Sequence, residues 1–198
     1  MSVNERISIE KVQEVLKGSS DLAIDSIDEF NKGIDHIIRL IKDSFLLYTN
    51  GSYSSSYFLS IIVIEEVAKL HMAQFVAPSQ GGKRDKLYDH KTKEIIGCNF
   101  TVTMGERLIQ AIGTAEIEKI CEMAYSGNMK NSREKALYFS GNNGRLVLPD
   151  ELYRREDAKS ILLFAIESFD DNLVGYTSYS IERSMETDRI FDDICSIK

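Results

Sequence analysis

The longest apolar run in the chain is Tyr57-Phe-Leu-Ser-Ile-Ile-Val-Ile64, and Glu65-Glu66-Val-Ala-Lys69 follows it directly. The run is far short of the roughly 20 apolar residues that cross a bilayer. A helix that is apolar nearly all round is the middle element of a bundle. The pattern predicts one helix from about Ser52 to Ala77, preceded by the Asn50-Gly51 turn and followed by Pro78.

Upstream, Leu22, Ile24, Ile27, Phe30, Ile34, Ile37, Ile38, Ile41, Phe45 and Leu46 mostly recur every three or four residues. That is one buried face of a long helix starting near Ser20 or Asp21, with Gly33 marking a kink or break. A shorter helix, capped by Ser8 and ended near Gly18, carries Ile9, Val12, Val15 and Leu16. Downstream, Pro78 to Gly82 reads as a loop. Helical patterns resume over Lys91–Ile96, Met104–Ile112 and Glu116–Ala124, and Ser126–Ser132 reads as a loop.

The stretch 136–148 differs in character. Leu137-Tyr138-Phe139 and Leu146-Val147-Leu148 flank turn-forming Gly and Asn, which predicts a small β-hairpin. A last helix is expected from about Asp150, bent near Gly175 and running to Ile194. The expected architecture is all-α, an up-and-down helical bundle in a single domain. Residues 1–18 form a helical extension, 20–170 the core and 171–198 a C-terminal helix. The alternating strand–helix pattern of a doubly wound sheet is missing.

The 198 residues carry 31 acidic and 24 basic side chains, a formal net charge of −7. That balance argues against a general nucleic-acid coat protein but leaves room for one local basic site. Cys98, Cys121 and Cys195 form no Cys-x-x-Cys pair, so neither a disulfide framework nor a zinc site is indicated. With no signal-like N-terminus, reduced thiols in the cytoplasm are expected. No dinucleotide fingerprint, P-loop or nucleophile elbow is present. Gly33, Ala68 and Leu87 stand three residues before His36, His71 and His90, where a di-iron bundle needs glutamates. No metal and no cofactor is expected.

Three groups can carry chemistry. In the first, Glu65, Glu66 and Lys69 share one side of an otherwise apolar helix, at about 100° per residue. Buried charge is costly without partners, so cations from elsewhere in the chain are implied. A structural charge network and a group that orients a site both satisfy this. The second runs from Arg84 to Lys93. From Lys83 to Lys93 there are five basic and two acidic residues, the main basic patch of an acidic chain. His90 can move a proton near neutral pH. Arg84 can bridge phosphate oxygens and stabilise developing charge. Lys91 and Lys93 suit backbone phosphates. In one continuous helix Arg84 and His90 would point about 120° apart, so they converge only if Arg84 lies in a loop or two subunits share the site. In the third group, Arg133 and Lys135 can answer the glutamates, and Tyr138 can join that network or stack on a base. A surface charge cluster with a core tyrosine is the simpler alternative. His36 and His71 are expected to be packing residues.

Taken in order, these groups resemble the AbiV family of abortive-infection proteins. The likeness runs through Gly51-Ser-Tyr53, Ile64-Glu-Glu-Val-Ala-Lys69, Asp89-His-Lys-Thr-Lys93, Arg133-Glu-Lys-Ala-Leu-Tyr138 and Pro149, and covers about Ser44 to Phe169. One departure is Val67-Ala68 where the family usually has Leu-Gly. The resemblance implies a HEPN-like bundle, a class that often carries an arginine, four to six intervening residues and a histidine, and cleaves RNA without metal from a site shared across a dimer. Arg84 and His90 fit that spacing. The expected role is to halt host growth or translation during phage infection. The implied partners are RNA (tRNA, rRNA or mRNA), a phage-encoded activator protein and a second copy of the chain, with no membrane. A non-catalytic module that binds a phage protein or the translation machinery is the alternative.

Overall fold

The computed structural model describes residues 3–78, 86–99 and 102–197. Helix α1 spans Val3–Leu16, α2 Ile27–Thr49 and α3 Tyr53–Ala73. Four shorter helices follow: α4 His90–Gly97, α5 Glu106–Ile112, α6 Thr114–Ser126 and α7 Met129–Leu137. The chain ends with α8 Pro149–Leu152, α9 Arg155–Leu173 and α10 Ser178–Ser196. The fold is all-α, as the apolar periodicity implied.

Local chemistry sets the boundaries. Helix α2 starts at Ser26, whose side chain accepts the Glu29 N–H at 3.2 Å, with Asp28 and Glu29 placed favourably in the first turn. The expected start at Ser20 or Asp21 is therefore too early. Ser19–Ser20 instead forms a short parallel pairing with Ala77–Pro78. Gly33 does not break the helix. A Cβ there would lie 2.6 Å from Leu70 Cδ1, so the glycine lets α2 approach α3 closely. Further along, Ser44 Oγ lies 3.1 Å from Ser56 Oγ and 2.8 Å from Ser60 Oγ, and pairs polar groups where the two helices meet.

Helix α3 is the central element. Ile61, Val63, Ile64, Val67 and Ala68 are all buried, and α2, α9, α4 and α7 pack around it. Helix α9 contributes the continuous buried run Ile161 to Phe169. Helix α10 lies against α2 and α9. A second apolar cluster joins Val15 of α1 to Ala68, Met72, Leu87 and Ile96.

Three further expectations need correction. The segment Ser126–Ser132 is not a loop, because α7 begins at Met129. The hairpin exists, but its strands are β3 (Ser140–Asn142) and β4 (Arg145–Val147) around Asn143-Gly144. Both turn residues have positive φ, 49° and 79°, as a tight two-residue hairpin turn demands. Leu137 thus ends a helix rather than starting a strand. The C-terminal helix is two, α9 and α10, separated by a turn through Gly175, with Thr177 capping the second at Ser180 N–H.

Candidate functional site

The site is built where α3, α4 and α7 meet. Asp89 caps α4 by accepting the Thr92 N–H at 2.9 Å, which fixes where the helix begins. His90, Lys93, Glu94 and Gly97 then recur at helical spacing on one face. Gly97 makes the approach possible. A Cβ there would sit 2.5 Å from Ile64 Cγ2 and 2.7 Å from the Ile64 carbonyl oxygen. Ser168 Oγ of α9 donates to the Gly97 carbonyl at 2.7 Å and ties down the far end of α4. Helix α7 is held by Ser132, whose hydroxyl lies 3.0 Å from Tyr57 Oη and 2.9 Å from Tyr153 Oη. The neighbouring Arg133 is thereby aimed at α3.

Glu65 is the centre of this arrangement. Its residue is 2% exposed, and its carboxylate receives three cationic or polar donors. Lys93 Nζ lies 2.7 Å from Oε2, His90 Nδ1 lies 2.7 Å from the same oxygen, and Arg133 binds Oε1. A carboxylate only accepts, so His90 Nδ1 carries the hydrogen and donates it. Arg133 also approaches Nδ1 at 3.2 Å. With Nδ1 protonated this is a contact between two donors held on one carboxylate. That tautomer leaves Nε2 of His90 with a free lone pair. The His90 side chain is 41% exposed, so the ring bridges a buried anion and the solvent.

The implied cations for Glu65 are thus Lys93 and Arg133, with His90 as a further donor. Glu65 and Lys69, four residues apart on α3, do not pair. Lys69 binds both oxygens of Glu66 at 2.8 Å on the partly exposed side of α3. Lys93, expected to hold backbone phosphate, is buried inside the cluster. Lys91 is exposed, next to Gly127. Lys135 is exposed and does not reach the glutamates. Tyr138 is 64% exposed at the end of α7, beside Phe139 at 69%. Arg84 lies in segment 79–85, outside the described residues.

His71 is a packing residue as expected. Its Nδ1 lies 2.9 Å from the Asn172 carbonyl, and burial lowers its pKa against that contact. His36, by contrast, is exposed on α2. Cys98 and Cys121 lie in the same apolar core, and burial raises the Cys98 thiol well above its usual range.

Two features escaped the sequence reading. The first is Glu94, completely buried, with neither carboxyl oxygen hydrogen-bonded to any described residue. Burial first, and the Glu65 carboxylate next, push its pKa up to about 7, against the pull of Arg133 and Lys93. Its position four residues after His90 is a signal that was available. The second is Arg107, which binds Glu167 (2.6 Å), Asp170 (3.0 Å) and Asp188 (2.5 Å) and stacks over Phe191. The three carboxylates come from α9 and α10, and only the fold brings them together.

Among the described residues no group of His, Cys, Asp and Glu is arranged to hold a metal ion, and no helix is long and apolar enough to cross a membrane. Fold and site together define an all-helical bundle with a histidine and an arginine clamped on one buried glutamate. The family model HEPN_AbiV, described as AbiV, matches residues 27–169, well over half of the chain. The protein belongs to this family, and membership points to an abortive-infection, HEPN-type role. No curated protein and no solved structure matches the chain.

Proposed function

We propose that the protein is a toxin-like, metal-independent endoribonuclease of antiphage defence, acting in the cytoplasm as a homodimer and triggered by a phage-encoded protein. One observation carries the reading. His90 is held by a buried glutamate in the tautomer that leaves Nε2 free, with an arginine alongside and solvent on its open side. A carboxylate that orients a histidine and stabilises its protonated form is a recurrent device for general base catalysis.

In this reading Nε2 of His90 takes the proton from a ribose 2′-hydroxyl. The 2′-oxygen attacks the adjacent phosphorus, and the bond to the 5′-oxygen breaks. The imidazolium returns its proton to that leaving oxygen. Arg133, together with Arg84, stabilises the charge that develops on the phosphorane oxygens. Lys93 acts behind them by holding Glu65 in place. Lys91 supplies charge to the flanking backbone, and Tyr138 offers a face for a base. Because the chain is acidic overall, RNA binding is local and strongly salt-dependent.

The test is incubation of the pure protein and His90→Ala with total RNA and tRNA in EDTA, with and without lysate from phage-infected cells. New ends carrying 2′,3′-cyclic phosphate, absent with the variant, support the reading. No cleavage under either condition refutes it. A second reading, a non-catalytic interaction module, is favoured by the exposed apolar group Tyr138, Phe139, Leu146 and Leu148 around the hairpin. It gains if the same lysate yields a stable complex without cleavage.

A further inference from the structure

Glu94 is the anomaly of the site. It is sealed in the interior on the same face of α4 as His90 and Lys93, and among the described residues neither of its oxygens meets a donor. Buried polar side chains in folded proteins almost always have a partner, and an exception is a place where a charge or proton is stored. The groups around it are all identifiable. Glu65 faces it from α3 and Arg133 from α7, while Lys93 and Asp89 lie on its own helix or cap. Cys98 stands one turn further along α4, and Cys121 of α6 is paired with Cys98. Helix α1 meets α4 through the apolar cluster of Val15 and Ile96.

The charge arithmetic of the cluster turns on this residue. Two fixed cations, Lys93 and Arg133, sit on one carboxylate, Glu65. With Glu94 neutral, Lys93, Arg133 and Glu65 keep one net positive charge on the Nδ1 side of His90, Asp89 being held at the start of α4 by Thr92. With Glu94 ionised, two carboxylates balance two cations and that excess disappears. Unlike Glu65, Glu94 has no hydrogen bond holding it in the ionised form. An anion entering beside His90 and Arg133 would therefore favour the neutral form, and a proton would be taken up with it.

We propose that Glu94 is a positioning residue that sets the anion affinity of the His90–Arg133 site, holding a proton when a phosphodiester is bound and releasing it when the site empties. This rests on the ribonuclease reading for the identity of the anion, but not for the charge coupling. Its consequence is that binding is coupled to protonation at a residue that never touches the ligand.

The full-length protein is compared with Glu94→Gln, a neutral side chain of the same shape, and with Glu94→Met as a second uncharged variant. The probes are inorganic phosphate and a 2′-O-methyl RNA oligonucleotide, which cannot be cleaved. Affinities are measured from pH 5.5 to 8.5, after circular dichroism has established that each variant is folded. The informative quantity is the ratio of variant to wild-type affinity, which cancels every pH effect the proteins share. The expected ratio is near one at pH 5.5 and rises to about five- to tenfold above pH 8 in favour of the neutral variants, the size of one unscreened charge nearby. A ratio that is constant with pH overturns the proposal, as does failure of the wild type to bind either probe at pH 5.5. If both variants unfold, the wild type decides alone: proton uptake on binding of the 2′-O-methyl oligonucleotide near pH 7.5, where its phosphodiesters carry no titratable proton, read by calorimetry in buffers of different ionisation enthalpy, supports it, and uptake of none overturns it. RNA cleavage is scored separately. Cleavage with a constant ratio removes the role of Glu94 and leaves the ribonuclease, and a pH-dependent ratio for phosphate without cleavage does the reverse.

Discussion

His90 on α4 presents Nδ1 to Glu65 Oε2 on α3 at 2.7 Å, across 25 residues of sequence. One side of the ring is thereby fixed to a buried anion while the other is open to solvent. The same carboxylate carries Lys93 and Arg133, so a single side chain orients the histidine and anchors three elements. Neither partner could do this from its own helix, because the geometry depends on how closely α4 lies against α3.

Removing Glu65 should therefore cost more than removing its neighbour. Glu65→Gln strips the counter-charge from Lys93 and Arg133 in the interior and is expected to destabilise the fold by about 3–5 kcal/mol. Glu66→Gln, on the partly exposed pair with Lys69, is expected to cost about 1 kcal/mol or less. Urea denaturation of the two variants checks the contrast, and equal losses would remove Glu65 from its central place.

Stability should also depend on pH through Glu94. Its folded pKa, up to about 7, is above the ordinary carboxyl range. Between the two values the folded state holds a proton that the unfolded state has lost. The stability so contributed is present at pH values below the ordinary carboxyl range and is lost as pH rises through about 7. Glu94→Gln should raise the melting temperature relative to wild type at pH 8 and leave it nearly unchanged at pH 4. A difference that does not vary with pH would show that the carboxyl is not titrating in this range.

Gly97→Ala places a methyl group against Ile64 and its carbonyl oxygen. The backbone of α4 must move, at a cost of about 1–3 kcal/mol. The nitrogen resonances of His90 should then shift toward a mixture of tautomers, because Nδ1 is no longer held on Glu65. Retained Nδ1–H in the spectrum would mean that the close packing of α4 is not what positions the ring.

Arg107→Met should be destabilising even though the site is distant in sequence from the histidine. It leaves Glu167, Asp170 and Asp188 facing one another without their common cation. A loss of about 2–4 kcal/mol is expected at pH 7, smaller at pH 4, because burial raises the pKa values of Glu167 and Asp170 and favours their neutral forms as pH falls. Thermal melts at the two pH values measure this directly.

Much of this molecule was legible in the order of its residues, for definite reasons. Helix α3 could be read from Tyr57–Ile64 because only a central helix can be apolar on every side. The segment from Arg84 to Lys93 reads as a candidate site from its charge and from the chemistry open to an arginine and a histidine. The cost of burying charge requires cations from elsewhere for the glutamates of α3, with Arg133 and Lys135 both candidates, and Arg133 is the one that binds Glu65. The partner choices were not legible. Glu65 and Lys69 are correctly spaced for a helix pair, yet Lys69 takes Glu66, because three donors from α4 and α7 already occupy Glu65. Lys93 reads as a surface lysine and is buried.

Gly33 and Gly97 show the same limit. A glycine within a helical pattern reads as a break, and only the presence of Leu70 or Ile64 at contact distance shows that each is a place where two helices touch. The sequence by itself determined the helices, their buried faces and the residue types able to carry proton transfer and charge, since periodicity and side-chain chemistry are local properties. The tertiary structure decided which carboxylate is shared, which is isolated and which side of His90 faces solvent. Those depend on distances between helices, and electrostatic energy in a packed interior changes steeply over a few ångströms.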